Sequence, residues 1–351
     1  MKDNIKITTT QSSRLSSVDF NNLSFGNIFS DHMLICNFKN SSWEIPQIVP
    51  YQPITLDPSS KIFHYGQSIF EGLKAYKDVD DNIFLFRPKD NAQRLNISAK
   101  RLAIPEIPEE FFLEGLKKLL AVDKDWIPNS PGSSLYIRPF IFASGQGFHA
   151  SPADEYKFII ATSPSGSYFS GKVKVLIEET FSRSANGGVG FAKAGGNYAG
   201  QFFPTQLALK KGYDQVIWTD DTSHKYIEEA GAMNIFVRIK DTLITVPTND
   251  RILDGITRKS ILKIAEEEGI SVEIRKISVS ELVASSKAGT LREMFGAGTA
   301  AVVSPISTFG FRGIDYHIPE FDNTYADLLK NRITAIQTNK VEDNYGWRVK
   351  I

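Results

Sequence analysis

Apolar residues recur at helical spacing in several well-separated stretches. Ala92, Leu95, Ala99 and Leu102 mark one face of a helix over 90–103, and 109–122 carries a second amphipathic pattern that Trp126-Ile127-Pro128 closes. Residues 205–211 read as the end of a helix stopped by Gly212, and 257–268 as a helix ending at Gly269. Near the end, Tyr325, Leu328, Leu329, Ile333 and Ile336 share one helical face. Other segments are dense in β-branched and aromatic residues and read as strands: 32–38, 83–86, 134–143, 156–162, 173–177, 215–219, 234–239 and 272–275. Strands and helices mix without strict alternation, which predicts an α+β fold.

The remaining stretches are polar or glycine-rich. Residues 1–17 read as a loose arm. The segment SPSGSYFSGK (163–172) is the densest in Ser, Gly and Pro and reads as a linker. It divides the chain into a small N-terminal α/β domain over 1–163, a linker over 164–172 and a larger C-terminal domain over 173–351. A length of 351 residues agrees with two domains. A cleft between two domains is a common place for a ligand.

Composition narrows the function classes. Forty Lys+Arg balance forty Asp+Glu, so the basic excess of a nucleic-acid or acidic-membrane binder is missing. Cys36 is the single cysteine, which excludes an intrachain disulfide and any multi-cysteine metal site. His32, His64, His149, His224 and His317 are scattered without metal-ligand spacing, so no metal is expected. No apolar run is long enough for a bilayer and the N-terminus lacks an apolar signal core, so the expectation is a cytoplasmic protein.

Four segments and one arginine could carry chemistry. GGVGFAKAGGNYAG (187–200) sets Lys193 among Phe191 and small residues. Poor hydration there favours a neutral, nucleophilic amine, although a flexible glycine loop with a solvated lysine fits the composition equally well. LDGIT (253–257) opens a helix whose first amides could hold phosphate; alone, it reads as a turn with Thr257 near the N-cap. FGAGTAA (295–301) contains GxGxxA, but strand-like residues follow, so it is a candidate anion-binding turn rather than a dinucleotide loop. IEEAGAMN (227–234) reads in isolation as a solvated acidic turn, and Arg94 in isolation as a surface arginine. Together, a lysine, a phosphate-binding helix start, an arginine and an acid are what pyridoxal 5'-phosphate requires.

The sequence resembles the branched-chain amino acid aminotransferases, a pyridoxal-phosphate family of fold type IV that also includes D-amino acid aminotransferases. The resemblance rests on FGNIFSDHM (25–33), HYGQSIFEGLKAY (64–76), LYIRP (135–139), KAGGNYAG (193–200), EAGAMNIF (229–236), ILDGITR (252–258) and EMFGAGTAAVVSPI (293–306), all in the family's order. It implies a two-domain D-amino acid aminotransferase-like fold. It implies transamination of L-leucine, L-isoleucine or L-valine with 2-oxoglutarate, in a homodimer whose second subunit closes the site.

By position, Lys193 would bind the cofactor covalently and shuttle the α-proton. Glu229, rather than Glu228, would face the pyridine nitrogen, and Tyr198 the ring hydroxyl. Arg94, the amides of Ile256 and Thr257, and Thr299 would hold the phosphate. The Thr299-Ala300 turn and Tyr65 would take the substrate carboxylate. Phe25, Phe70, Tyr136, Tyr168 and Met233 would line the side-chain pocket, supported by Arg138. The chain departs from the family at Ala232, where many relatives carry Thr, and at Ala301 and Ser304, where some animal relatives have a CxxC pair. It departs again at Gly147-Phe148-His149-Ala150, a bulkier version of the family's interdomain loop.

Overall fold

A computed structural model describes residues 5–166 and 171–351. The chain forms two compact units. Unit 1 comprises Met1–Tyr168, Ala192–Gly196 and Ile336–Ile351; unit 2 comprises Phe169–Phe191 and Asn197–Ala335. The division expected from the sequence therefore misses two returns of the chain to unit 1, one of them carrying Lys193. Residues 167–170 of the expected linker, Tyr168 included, lie outside the described residues.

Unit 1 is built on an almost wholly antiparallel sheet. Its strands are β1 (Lys6–Ile7), β2 (His32–Lys39), β3 (Ser42–Trp43), β4 (Gln47–Pro50), β5 (Ser68–Phe70), β6 (Leu73–Lys77), β7 (Ile83–Phe86), β8 (Ser134–Ala143) and β9 (Tyr156–Ser165). The order is β1-β4-β2-β9-β8-β6-β7, with β3 on β2 and β5 on β8, and the late strand Arg348–Lys350 completes the edge beside β7. Helix α1 (Lys61–Tyr65) is short; α2 (Pro88–Arg101) and α3 (Glu109–Val122) are the longer ones. Leu95 and Ala99 of α2, Phe112, Leu116 and Leu119 of α3, and Leu34, Ile137 and Phe158 of the sheet belong to one buried cluster.

Residues 5–17 are not the loose arm their polarity suggests. β1 runs parallel to β4. Thr10 N–H donates to His32 Nε2 at 2.9 Å, and Ser13 Oγ and Arg14 N–H donate to Asp31 at 2.5 and 2.9 Å. Polar side chains anchor this segment, so a hydrophobic pattern cannot reveal it.

In unit 2 the strands are β10 (Val173–Ile177), β11 (Gln215–Thr219), β12 (Tyr226–Ala230), β13 (Met233–Ile239), β14 (Thr242–Thr245), β15 (Ser271–Ile274), β16 (Ile277–Ser278), β17 (Leu291–Gly298), β18 (Val302–Phe311) and β19 (Ile314–His317). Pairing runs β13-β17-β18-β10-β11-β12, and β12 pairs in turn with β13, so these strands close on themselves. Val175, Ile217, Ile227, Ile235, Val237 and Phe309 contribute to its buried cluster. The helices are α4 (Gly195–Ala199), at the passage between units, then α5 (Phe202–Lys210), α6 (Ile256–Glu267), α7 (Val279–Lys287) and α8 (Tyr325–Gln337). Among the described residues, no helix is long and apolar enough to cross a membrane.

Cys36 sits 1% exposed on β2, and its Sγ donates to the Glu44 carbonyl at 3.0 Å. Burial pushes its thiol up to about 12, so the reactive thiolate is scarce at neutral pH. Mild peroxide followed by reductant is expected to leave activity unchanged, and steady-state assays before and after treatment check this. Reversible inactivation that Cys36→Ser abolishes would contradict it.

Candidate active site

One stripe of α2 is buried yet polar. Asn91, Arg94 and Ser98 lie three and four residues apart, so they share a face beside the apolar Ala92, Leu95 and Ala99. Arg94 is 8% exposed, not the surface arginine it resembles in isolation. Its Nε and Nη2 reach the two carboxylate oxygens of Glu71 at 2.7 and 3.0 Å, and Asn91 Nδ2 donates to Glu71 Oε2 at 2.7 Å. Glu71 is fully buried. Burial alone would raise its carboxyl, but Arg94, Lys193 and Asn91 hold it below the usual range.

Because Glu71 is depressed in the folded state, its stabilising contribution is complete above the ordinary carboxyl value, ~4.3. It is lost as pH falls through the folded value. Glu71→Gln leaves the Arg94 cation buried without a counter-charge and is expected to cost roughly 3–5 kcal/mol. Urea unfolding at pH 7 measures the loss, and the gap to wild type should narrow toward pH 3.

Lys193 lies against the same stripe. Its backbone N–H donates to Ser98 Oγ at 2.9 Å and its carbonyl accepts from Phe70 N–H at 3.0 Å. The glycine-rich segment is therefore pinned at the lysine rather than loose. Lys193 Nζ sits 4.6 Å from the centre of the Phe70 ring, and the Arg138 guanidinium 4.7 Å from the same ring. Arg138 also donates to Tyr136 Oη at 2.8 Å, and Phe25 packs edge-on against Tyr136 with centroids 4.7 Å apart.

Phe25, Tyr136 and Arg138 line an apolar cavity of about 650 Å³ in unit 1, with Phe29, Met33, Tyr51 and Phe140. Tyr65 lies outside it: the side chain is exposed and its hydroxyl donates to the Phe148 carbonyl. Phe148 itself is 70% exposed. His149 is exposed too, although its Nε2 lies 3.2 Å from Nζ of the buried Lys61.

Unit 2 holds the acid. The EAGAMN segment is not a solvated turn: Glu228 and Glu229 are 5% and 2% exposed on β12, and Gly231 starts the tight connection to β13. Gly231 has φ +56, and a Cβ there would lie 2.4 Å from Gln215 Oε1, so glycine is required. Alternation along the strand sends the two carboxylates to opposite faces. Glu228 pairs with Arg251 Nε at 2.6 Å, and burial pushes its carboxyl up. Glu229 Oε2 lies 2.7 Å from Arg183 Nε, and its Oε1 accepts from Leu253 N–H at 3.1 Å and Asn234 Nδ2 at 3.3 Å.

Asn234 ties this acid to a helix start. Its Nδ2 also donates to the Leu253 carbonyl at 2.9 Å. Gly255, the N-cap of α6, approaches it so closely that a Cβ would stand 1.9 Å from Asn234 Oδ1. No side chain caps α6, so Thr257 falls inside the first turn, and its amide and that of Ile256 can donate to an anion. The string 295–301 ends β17 and turns directly into β18, with Thr299 and Ala300 in the turn. Val302, which leaves this turn, has φ +59, a strained conformation for a β-branched residue. Met233 is buried beside Gly296 of β17. Tyr198 follows in α4, where Asn197 Nδ2 donates to the Val189 carbonyl at 2.7 Å.

A buried carboxylate joined through one asparagine to an uncapped helix start suits a ligand with a basic nitrogen at one end and an anion at the other. Glu71, Arg183 and Asn234 escape sequence reasoning. Glu71 and Asn234 stand within IFEGLKAY and EAGAMN, so the motifs hold them without marking them; nothing around Arg183 signals its role.

Comparison with known proteins agrees with this chemistry. Residues 68–309 match the family described as Amino-transferase class IV. The chain is 44% identical over 355 residues to the branched-chain-amino-acid aminotransferase 2 of Bacillus subtilis, covering 100% of this chain and 98% of that protein. Among solved structures it resembles the branched-chain amino acid aminotransferase of Escherichia coli, with TM-score 0.74, 26% identity, and coverage of 91% of this chain and 98% of that one. Another branched-chain amino acid aminotransferase, solved in complex with N-(5'-phosphopyridoxyl)-L-glutamate, shares the fold at TM-score 0.72 and 24% identity, with coverage of 90% of this chain and 97% of that one.

Proposed function

The chain belongs to the class IV aminotransferases, among the branched-chain-amino-acid enzymes, and on that premise we propose that it moves the amino group of L-leucine, L-isoleucine or L-valine to 2-oxoglutarate. The products are the branched-chain 2-oxo acid and L-glutamate. The cofactor is pyridoxal 5'-phosphate. The observation that carries this reading is the linkage of Glu229 to the open start of α6 through Asn234 and Leu253, which suits the ring nitrogen and phosphate of one small molecule.

When bound, pyridoxal phosphate supplies an electron-withdrawing ring that stabilises the negative charge left at the substrate's α-carbon. Lys193 Nζ holds the cofactor and carries the α-proton. The Glu229 carboxylate would favour a proton on the ring nitrogen, and Tyr198 would face the ring hydroxyl. Arg94, steadied by Glu71, and the amides of Ile256 and Thr257 with the side chain of Thr299 would hold phosphate. The Thr299-Ala300 turn would orient the substrate carboxylate, and the Tyr65 hydroxyl would join it by giving up the Phe148 carbonyl. By the resemblance, Phe25, Phe70, Tyr136, Tyr168 and Met233 would keep water from the aliphatic side chain, and Arg138 holds Tyr136 and Phe70. Ala232 supplies no hydroxyl to the carboxylate. The protein works in the cytoplasm as a homodimer, and light scattering should give twice the chain mass.

A donor panel with 2-oxoglutarate, including both enantiomers of leucine, tests the assignment. L-leucine, L-isoleucine and L-valine should lead, with glutamate formed in equal amount. Preference for D-leucine, or no transfer to 2-oxoglutarate, would overturn it.

A further inference from the structure

Arg183 belongs to none of the motifs, yet it sits where three segments meet. Its side chain is 3% exposed, and Nε lies 2.7 Å from Oε2 of Glu229, itself 3% exposed at the side chain. Its Nη1 donates to the carbonyls of Gly190 at 3.1 Å and Arg251 at 2.6 Å. Gly190 lies in the part of the glycine-rich run that leads to Lys193, and a Cβ there would stand 2.4 Å from the Arg251 carbonyl oxygen. Phe191 N–H donates to the Asp250 carbonyl at 3.0 Å, so the run is laid along the segment leading to Leu253. Leu253 N–H in turn donates to Glu229 Oε1 at 3.1 Å. One planar cation thus touches the acid, the run that delivers the lysine, and the segment that opens α6.

We propose that Arg183 is a positioning residue for the amino transfer, acting through Glu229. It fixes the orientation of the carboxylate and supplies its counter-charge before the cofactor arrives. A guanidinium, with several nitrogens in one plane, can set its charge against a carboxylate through Nε while another nitrogen, Nη1, donates to two carbonyls. This inference rests on the reading of Glu229 as the partner of the ring nitrogen. A residue that merely anchored the loop would lower stability without altering the cofactor's spectrum or coupling specifically to Glu229.

The test uses the full chain titrated with pyridoxal phosphate. In Arg183→Met, cofactor affinity and kcat are expected to fall, kcat by roughly 10- to 100-fold, as for a misplaced catalytic group. The pH midpoint of the visible absorption band should rise by about one unit, because a nearby cation has been removed. In a Glu229→Gln background, Arg183→Met should add less than about threefold to the loss in kcat, since the partner through which it acts is already gone. Arg183→Lys keeps the charge and should keep the midpoint near wild type while recovering only part of kcat.

An unmoved midpoint in Arg183→Met, or losses that multiply fully with those of Glu229→Gln, would overturn the proposal. Should Arg183→Met fail to fold, Arg183→Lys decides alone: a shifted midpoint, or kcat equal to wild type, counts against it. A wild-type protein that develops no visible band removes the reading of the site and this inference with it. A wild-type band with unaffected variants removes the inference alone.

Discussion

Lys193→Ala is expected to abolish turnover, by roughly a thousandfold or more, and to remove the visible band that wild type develops with pyridoxal phosphate. The expectation is specific because the chain offers a second partly enclosed lysine as a rival. Lys61 is only 2% exposed, more buried than Lys193. Its ammonium, however, is engaged by Ser151 Oγ at 2.7 Å, the carbonyls of Ser151 and Pro152 at 3.1 Å, and His149. An amine held by several fixed polar partners is not free to approach a carbonyl carbon. Lys193 instead lies over an aromatic face beside a buried acid–arginine pair. Borohydride reduction and peptide mapping should place the label on Lys193 and leave Lys61 unlabelled. Lys61→Met should keep the band. A comparable rate in Lys193→Ala, or label on Lys61, would refute the assignment.

Glu229→Gln should keep the cofactor bound but lower kcat by roughly 100-fold or more, because a neutral amide cannot hold the ring nitrogen protonated. The same change leaves the Arg183 cation buried without its counter-charge, at a cost of roughly 3–5 kcal/mol in stability. Thermal unfolding measured beside kcat separates the two losses. Glu228→Gln is the matched control. It lies on the opposite face of β12, pairs with Arg251, and is expected to lose stability while keeping most of kcat. Full activity in Glu229→Gln together with inactive Glu228→Gln would exchange their roles.

Much of the fold is legible in the sequence because its signals are local. The stripe Leu95-Ala99 gives α2, and the runs 134–143 and 215–219 coincide with β8 and β11. Boundaries shift where the cue is conformational: α2 opens at Pro88, two residues before the expected start, because proline suits a first helical position. The site is only half legible. Glycine and lysine mark 187–200, and the run before Ile256 marks a helix start. Arg94 and Glu229 read as surface groups because the partners that permit their burial, Glu71 and Arg183, are 23 and 46 positions away. The polar anchors of residues 5–17 escape for the same reason, since His32 and Asp31 lie beyond any local window.

The late return of the chain to unit 1 has a consequence for biosynthesis. Strand β7 gains its outer neighbour only when Arg348–Lys350 has been made, and the lysine-bearing stretch Ala192–Gly196 reaches the same unit only after residue 191. At typical translation rates of ~5–20 residues per second, β7 waits on the order of tens of seconds with an open apolar edge. Such edges invite pairing with other nascent chains. Ribosome-bound intermediates ending before residue 348 should therefore recruit chaperones and aggregate when these are depleted. Shortening the chain by its last strand should lower soluble yield far more than it lowers the specific activity of the protein that survives.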